Sequence, residues 1–355
     1  MSETLVTLPA TDAKTRSSRR AIATWLLLVA GLVFLMVVVG GATRLTESGL
    51  SIVEWKPISG AIPPLTDADW QAEFEAYKKI PEYQQEHAWM SLEDFKGIFW
   101  WEWSHRLLGR LIGLVYAIPF FWFLARRRIP EGYKKPLFGL LLLGGLQGAI
   151  GWWMVSSGLS ERTDVSHYRL ATHLGVALTI YAGLIWTALN LLADRTRQNV
   201  PPGVNRWALP FFALLALQIV MGAFVAGLNA GFAFNTWPLM GDSFAPPHMW
   251  EAALGWLNLS ENGVVVQFVH RCIAYALAIV GVLWILAGWR TGIVGMRDRA
   301  MIFAIALAAQ ITLGILTIIH AVPIPLGVAH QGGAAALLAA ALYYAHRGRS
   351  ITRVA

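Results

Sequence analysis

Four histidines, His105, His173, His270 and His330, each stand a few residues inside a long apolar run. An ionisable side chain is costly there and marks a functional site. Their flanks match in pairs: His105-Arg106 with His270-Arg271, and His173-Leu-Gly175 with His330-Gln-Gly332. Neutral imidazole ligates iron, copper or zinc. A small metal ion draws three or four ligands to one point. Two imidazoles on opposed helices, with glycine nearby to clear space, suit the axial positions of a haem better. The two pairs therefore predict two haem-sized sites.

Arg106, Arg110 and Arg271 lie in the same apolar runs. Arg106 and Arg110 are one helical turn apart, and their mutual repulsion calls for an anion. A haem propionate, Glu102 or a lipid phosphate would each serve, and snorkelling to the surface is the alternative. One difference separates the pairs. Glu102 precedes His105 by one turn on the same helix face, whereas Gln267 holds that position before His270. A carboxylate beside one ring and an amide beside the other suggest that the first half handles protons while the second holds a cofactor. The competing reading pairs Glu102 with Arg106 at the rim.

The elements that must position these groups are membrane spans. Of the 355 residues, 56% are hydrophobic, only 14% are charged and 17 are Trp. Windows of about 19 residues find apolar stretches able to cross the bilayer near 22–42, 99–124, 137–156, 168–192, 207–228, 264–288, 300–320 and 326–345. The net charge of +7 is concentrated on one side of these spans. It comes from Lys14, Arg16, Arg19 and Arg20, then Arg126, Arg127, Arg128, Lys134 and Lys135, then Arg195, Arg197 and Arg206, then Arg290, Arg297 and Arg299, and finally Arg347, Arg349 and Arg353. The positive-inside rule then predicts both termini in the cytoplasm and acidic loops outside, and leaves no reason to invoke nucleic acid. Span 1 reads as an uncleaved anchor. Cys272 is the only cysteine, which excludes an intramolecular disulfide or a CxxC centre.

Four motifs recur in the same order. Gly41 to Gly60, with Trp55 and Pro57, echoes Gly222 to Gly241, with Trp237 and Pro238. His105-Arg106 matches His270-Arg271, Gln147 with Gly151 matches Gln310 with Gly314, and His173 with Gly175 matches His330 with Gly332. The expected fold is an all-α integral membrane protein of eight transmembrane helices, arranged as two parallel-repeat four-helix bundles. The expected division is a polar, mobile cytoplasmic tail 1–21, a first bundle 22–192 with outer loop 43–98, a linker 193–206, a second bundle 207–345 and a tail 346–355. All four histidines then fall in one shallow layer toward the outer face, about 6–10 Å into the hydrocarbon. Trp70, Phe74 and Tyr77 at helical spacing predict an amphipathic helix within 66–95, lying over that face. His87, His167, His248, His320 and His346 have no repeat partner and receive no chemistry.

Gly40-Gly-Ala-Thr-Arg44-Leu-Thr-Glu47-Ser-Gly-Leu-Ser-Ile52, with Trp55-Lys-Pro57 and Gly60, resembles the first outer loop of haem A synthases. Lys96-Gly-Ile-Phe99-Trp-Trp-Glu102-Trp-Ser-His105-Arg106, Asn235-Thr-Trp-Pro238-Leu-Met and Gln267-Phe-Val-His270-Arg271 are similar to further signatures of that family. The resemblance covers essentially the whole chain. It implies an oxidoreductase of the bacterial inner membrane that converts haem O to haem A for terminal oxidases, by successive hydroxylations of a ring methyl to a formyl group. It further implies haem b on His270 and His330, the substrate haem at His105 and His173, and a catalytic Glu102. Arg44, Arg106, Arg110 and Arg271 become candidates for binding propionates. Haem O synthase, oxidase assembly factors and membrane lipid are the partners to expect, and a homo-oligomer is left open. Residues 45–98 lack the cysteine pair of some bacterial members, so the chain resembles the cysteine-free subclass of proteobacteria and mitochondria. A dihaem cytochrome b exchanging electrons with quinone would need His pairs at two depths, and a non-catalytic haem carrier would have no use for Glu102.

Overall fold

A computed structural model describes residues 10–193 and 202–346. Residues 1–9 of the expected tail, Arg195 and Arg197 of the linker, and Arg347, Arg349 and Arg353 lie outside the described residues. The long helices are α1 (Ala10–Leu45), α2 (Leu92–Ala125), α3 (Lys134–Val155), α4 (His167–Leu192), α5 (Ala208–Gly227), α6 (Gly263–Trp289), α7 (Val294–Ile319) and α8 (Ile324–Ala345). Each of these 8 carries a segment long and apolar enough to cross a membrane. The protein is an all-α, multi-pass membrane protein.

Two expected boundaries move for local reasons. Helix α1 begins at Ala10, inside the segment expected to be a mobile tail. Helix α2 begins at Leu92 rather than near 99. Ser91 accepts from the Asp94 backbone N–H while the Asp94 carboxylate accepts from the Ser91 backbone, a reciprocal box that satisfies two otherwise orphaned donors. His105 therefore lies more than three turns into its helix.

In the order of the chain, α1 to α4 pack each on the next and α1 also packs on α4. Helices α5 to α8 do the same, with α5 against α8. Helix α1 also packs on α8, and α4 on α5 and α8. Buried aromatics pin each set. Trp25 and Tyr116 lie 4.9 Å apart, with Trp25 Nε1 donating to Val115 O at 2.8 Å and Tyr116 Oη to Leu137 O at 2.8 Å. Trp284 and Tyr344 lie 4.7 Å apart, and Tyr344 Oη donates to Trp284 O at 2.8 Å. Trp25, Tyr116 and Tyr344 thereby place their polar atoms on backbone carbonyls, which suits an interior without water, while the Trp284 indole N–H is buried without a partner.

The segment between α1 and α2 caps one end of the helices. Its helix Asp67–Tyr77 starts with a capping box at Thr66 and buries Trp70, Phe74 and Tyr77, as their spacing predicts. Those rings meet Phe95 and Phe99 of α2: Phe74–Phe95 is 5.1 Å, Tyr77–Phe95 5.3 Å and Trp70–Phe99 4.9 Å. Next comes the short helix Pro81–Gln85, whose Glu82 is 4% exposed. Burial, with Asp164, Glu102 and Glu47 nearby, pushes the Glu82 carboxyl up to about 8, against the pull of the Tyr77 hydrogen bond. A carboxyl raised above its unfolded value stabilises the fold below the unfolded pKa, and that contribution is lost as pH rises through the folded one. The cap should therefore loosen as pH rises from the ordinary carboxylate range towards 8, and level off above it. Limited proteolysis of residues 66–91 should show wild type cut progressively faster than Glu82→Gln from about pH 6 to about pH 9. A ratio that stays constant would sink this account.

Candidate functional site

Each of the four histidine rings rests against a glycine on a neighbouring helix. A methyl group at Gly40 of α1 would lie 3.1 Å from His105 Nε2, and one at Gly222 of α5 3.2 Å from His270 Cε1. One at Gly151 of α3 would lie 2.9 Å from His173 Cε1, and one at Gly314 of α7 2.8 Å from His330 Cε1. Real side chains scarcely reach such distances, so the glycines make room for the rings. His105 and His173 lie close enough to feel each other's charge, as do His270 and His330. Each couple thus takes one ring from each flank type, His105 with His173 and His270 with His330, rather than two rings with the same flank.

A glutamine one turn before the glycine meets three of the rings. Gln147 Nε2 lies 3.1 Å from His173 Nδ1, Gln310 Nε2 3.2 Å from His330 Nδ1 and Gln218 Nε2 3.1 Å from His270 Nε2. An amide set against a ring in this way holds its orientation. Before Gly40 the corresponding residue is Met36, and no hydrogen bond to the His105 ring occurs among the described residues. Sequence reasoning singled out Gln147 and Gln310 but missed Gln218, although Gln218 and Gly222 repeat the same spacing. It also missed Gly40 as a packing partner.

The stripes flanking His105 and His270 hold the loop backbone. Glu102 is 2% exposed. Its Oε2 accepts from Ser51 Oγ at 2.8 Å and from the Ile52 N–H at 2.7 Å. Its Oε1 accepts from Arg106 Nη2 at 2.6 Å and Nε at 3.0 Å. Arg106 also donates to Ile52 O and Glu54 O, and Arg110 to Lys56 O and Pro57 O. Residues 52–57 therefore run beside α2 from Glu102 to Arg110, a descent of about 12 Å. Irregular backbone at such depth is tolerated because these side chains satisfy its carbonyls. Trp55 stacks on Trp152 at 5.9 Å, and Arg106 sits over the Trp152 ring.

The stripe Gln267, Arg271 and Tyr275 does the same work on α6. Gln267 and Arg271 donate to Phe234 O, Arg271 also to Thr236 O and Leu239 O, and Tyr275 reaches Pro238 O. Arg44 forms a salt bridge with Asp164 at 3.1 Å and donates to Ala226 O and Asn229 Oδ1, which ties the end of α1 to the end of α5. Every arginine singled out from sequence is thus engaged with a loop, a carboxylate or a helix end. Arg44 Nε, Arg110 Nη1 and Arg271 Nε remain buried without a protein partner.

The donor set suits a haem better than a bare ion. Among the described residues no three His, Cys, Asp or Glu side chains converge as a metal-ion site. Each site instead offers two imidazoles from two helices, backed by glycines whose side chains would otherwise fill the space. Buried Gln147 Oε1, Gln218 Oε1, Gln310 Oε1 and His270 Nδ1 also lack partners.

Comparisons with known proteins identify the family. Residues 23–342 match the family described as cytochrome oxidase assembly protein. A protein of Rhodospirillum centenum named haem A synthase is 54% identical over 338 residues, covering 94% of this chain and 90% of its own. A haem A synthase of Parvibaculum lavamentivorans is 49% identical, covering 94% and 96%, and one of a Caulobacter species is 50% identical, covering 94% and 98%.

Proposed function

From a chain that belongs to the haem A synthase family, we propose an enzyme that oxidises the ring-position-8 methyl of haem O to the formyl group of haem A. The single observation that carries this reading is the buried carboxylate of Glu102, one turn from His105, where the matching stripe on α6 has the amide of Gln267. An electron-transfer cytochrome or a haem carrier needs no such group.

His105 and His173 would hold the substrate haem, and His270 and His330 would hold haem b. Haem b would supply one-electron redox chemistry to the site. The repeated His–Gly contacts and matched stripes support two related bundles, 22–192 and 207–345. The residues of the first bundle divide the labour. Ser51, the Ile52 N–H and Arg106 fix both oxygens of Glu102, so its carboxylate is aimed before substrate arrives. A carboxyl positioned in this way gives or takes protons as the methyl is oxidised, whichever source supplies the formyl oxygen. His173 is steadied by Gln147, while His105 has Met36 where a glutamine would stand, a looser ligand for a haem that must leave as product. Arg110 Nη1 and Arg44 Nε, each a buried free donor, are placed to receive propionates.

The protein is placed in the bacterial inner membrane with both termini cytoplasmic and the capped end outside, as its basic residues direct. Haem O synthase would supply its substrate and oxidase assembly factors would take its product. The direct test is pigment analysis. The full chain, expressed with a haem O source, should yield haem A on reversed-phase separation of the extracted haems. Haem b alone, with haem O neither bound nor changed, would point instead to an electron-transfer cytochrome.

A further inference from the structure

Glu47, His87, Tyr77 and Glu82 form a hydrogen-bonded line in the cap that the chemistry above does not use. His87 Nε2 lies 3.2 Å from Glu47 Oε2, His87 Nδ1 2.7 Å from Tyr77 Oη, and Tyr77 Oη 3.0 Å from Glu82 Oε2. The side chain of Glu47 is 60% exposed and that of His87 9%. Tyr77 is wholly buried and Glu82 nearly so. The line thus leads from solvent to an interior carboxyl. At its inner end Glu82 faces Tyr77 directly, and Asp164, Glu102 and Glu47 within electrostatic reach. Tyr77 packs on Phe95, two turns before Glu102 on the same helix.

We propose that Glu47, His87, Tyr77 and Glu82 are a proton wire between outside water and the pocket of Glu102, an inference that rests on Glu102 handling protons. The donor count fits one proton held at the inner end. Glu82 then donates to the Tyr77 oxygen, Tyr77 to His87 Nδ1, and His87 from Nε2 to the Glu47 carboxylate. In the concerted shift Glu82 passes its proton to Tyr77, Tyr77 its own to His87 Nδ1, and His87 its Nε2 proton to Glu47. One proton leaves Glu82 and one arrives at Glu47. Each hydrogen bond reverses direction and none is lost. Glu47 gives the proton to bulk water, and the last leg, between Glu82 and the Glu102 within its electrostatic reach, would need an intervening water. The wire also runs inward. The tyrosine hydroxyl is the necessary middle link, since it alone bonds both Glu82 and His87.

The test uses the full-length protein loaded with haem. Haem A formation from supplied haem O is followed against pH in wild type, Tyr77→Phe and His87→Asn. Tyr77→Phe keeps the buried ring and removes only the link. Its rate should fall on the order of tenfold, short of losing a group that itself touches substrate. Its pH profile should flatten while the haem absorption spectrum stays unchanged. Infrared difference spectra between acid and alkaline protein provide a second readout without turnover. Wild type should show a carboxyl band that titrates near neutral pH, vanishes in Glu82→Gln and shifts in Tyr77→Phe. Rates and pH profiles in both variants that match wild type would overturn the wire and leave Glu102 standing. Should Tyr77→Phe fail to hold haem, the absence of a Glu82-dependent band in wild type would overturn it equally. A wild-type chain that makes no haem A removes the role of Glu102, and the wire with it.

Discussion

Glu102→Gln should leave the haem absorption of the purified protein intact and lower haem A formation about a hundredfold to ten-thousandfold, the range lost with a positioned proton-transfer group. The two side chains have nearly the same volume, and α6 shows that an amide fits such a position, since Gln267 Nε2 donates to Phe234 O at 3.1 Å. The amide cannot reproduce the carboxylate's hydrogen bonds. The Glu102 oxygens receive Ser51 and Ile52 N–H on one side and two donors of Arg106 on the other. An NH₂ group must face one of these sets, donor against donor. A modest loss of thermal stability should therefore accompany the loss of activity, of the order of 1–3 kcal/mol expected for an unsatisfied buried group. Reversed-phase separation of extracted haems reads the activity, and a thermal melt reads the stability. Undiminished haem A from the variant would remove Glu102 from the chemistry and leave it as a loop anchor.

The second large effect is on pigment rather than turnover. His270→Ala or His330→Ala should each strip most haem b from the purified protein, because a bis-imidazole site that loses one ligand loses much of its grip on the iron. His105→Ala should retain it. Gly314→Leu tests the same site sterically. A methyl alone would stand 2.8 Å from His330 Cε1, and a larger side chain must push the ring out of line. Its haem b content should fall toward that of His330→Ala although every ligand remains. Haem b retained at the wild-type level in His270→Ala would show that the second bundle is not its site.

Much of this was legible in the chain before any coordinates. Eight apolar runs, the pairing of histidines by their flanks, and the contrast between Glu102 and Gln267 needed only periodicity and position. What stayed hidden was tertiary. Arg106 and Arg110 signal a buried need for anions or acceptors, but a one-turn spacing cannot tell a propionate from a carbonyl. The structure gives Arg106 the Glu102 carboxylate, one of the anions considered from sequence, and gives both arginines the carbonyls of 52–57, a segment about fifty residues away along the chain. Ser51 was in view only as part of a motif, since a serine in a loop carries no mark that it will bond a helix carboxylate. His87 was set aside because it has no repeat partner. Its role depends on Tyr77 and Glu47, which lie 10 and 40 residues away along the chain and meet it only in the folded cap.

The adjacent glycines of α1 face different ways. Gly40 receives the ring of His105, and Gly41 meets the side chain of Gln331, which follows His330 and donates to Val37 O at 2.8 Å. One turn of a single helix thus touches the ring of His105 and the residue that follows His330. The first and last spans of the chain are therefore not independent of each other. A gene fragment encoding 207–345 would lack the wall against which Gln331 is seated, and a chimera that swaps the first bundle inherits a foreign wall for the second. Recombination between relatives should succeed best where α1 and α8 come from the same parent, because Gln331 then meets the Gly41 and Val37 backbone it is shaped to fit.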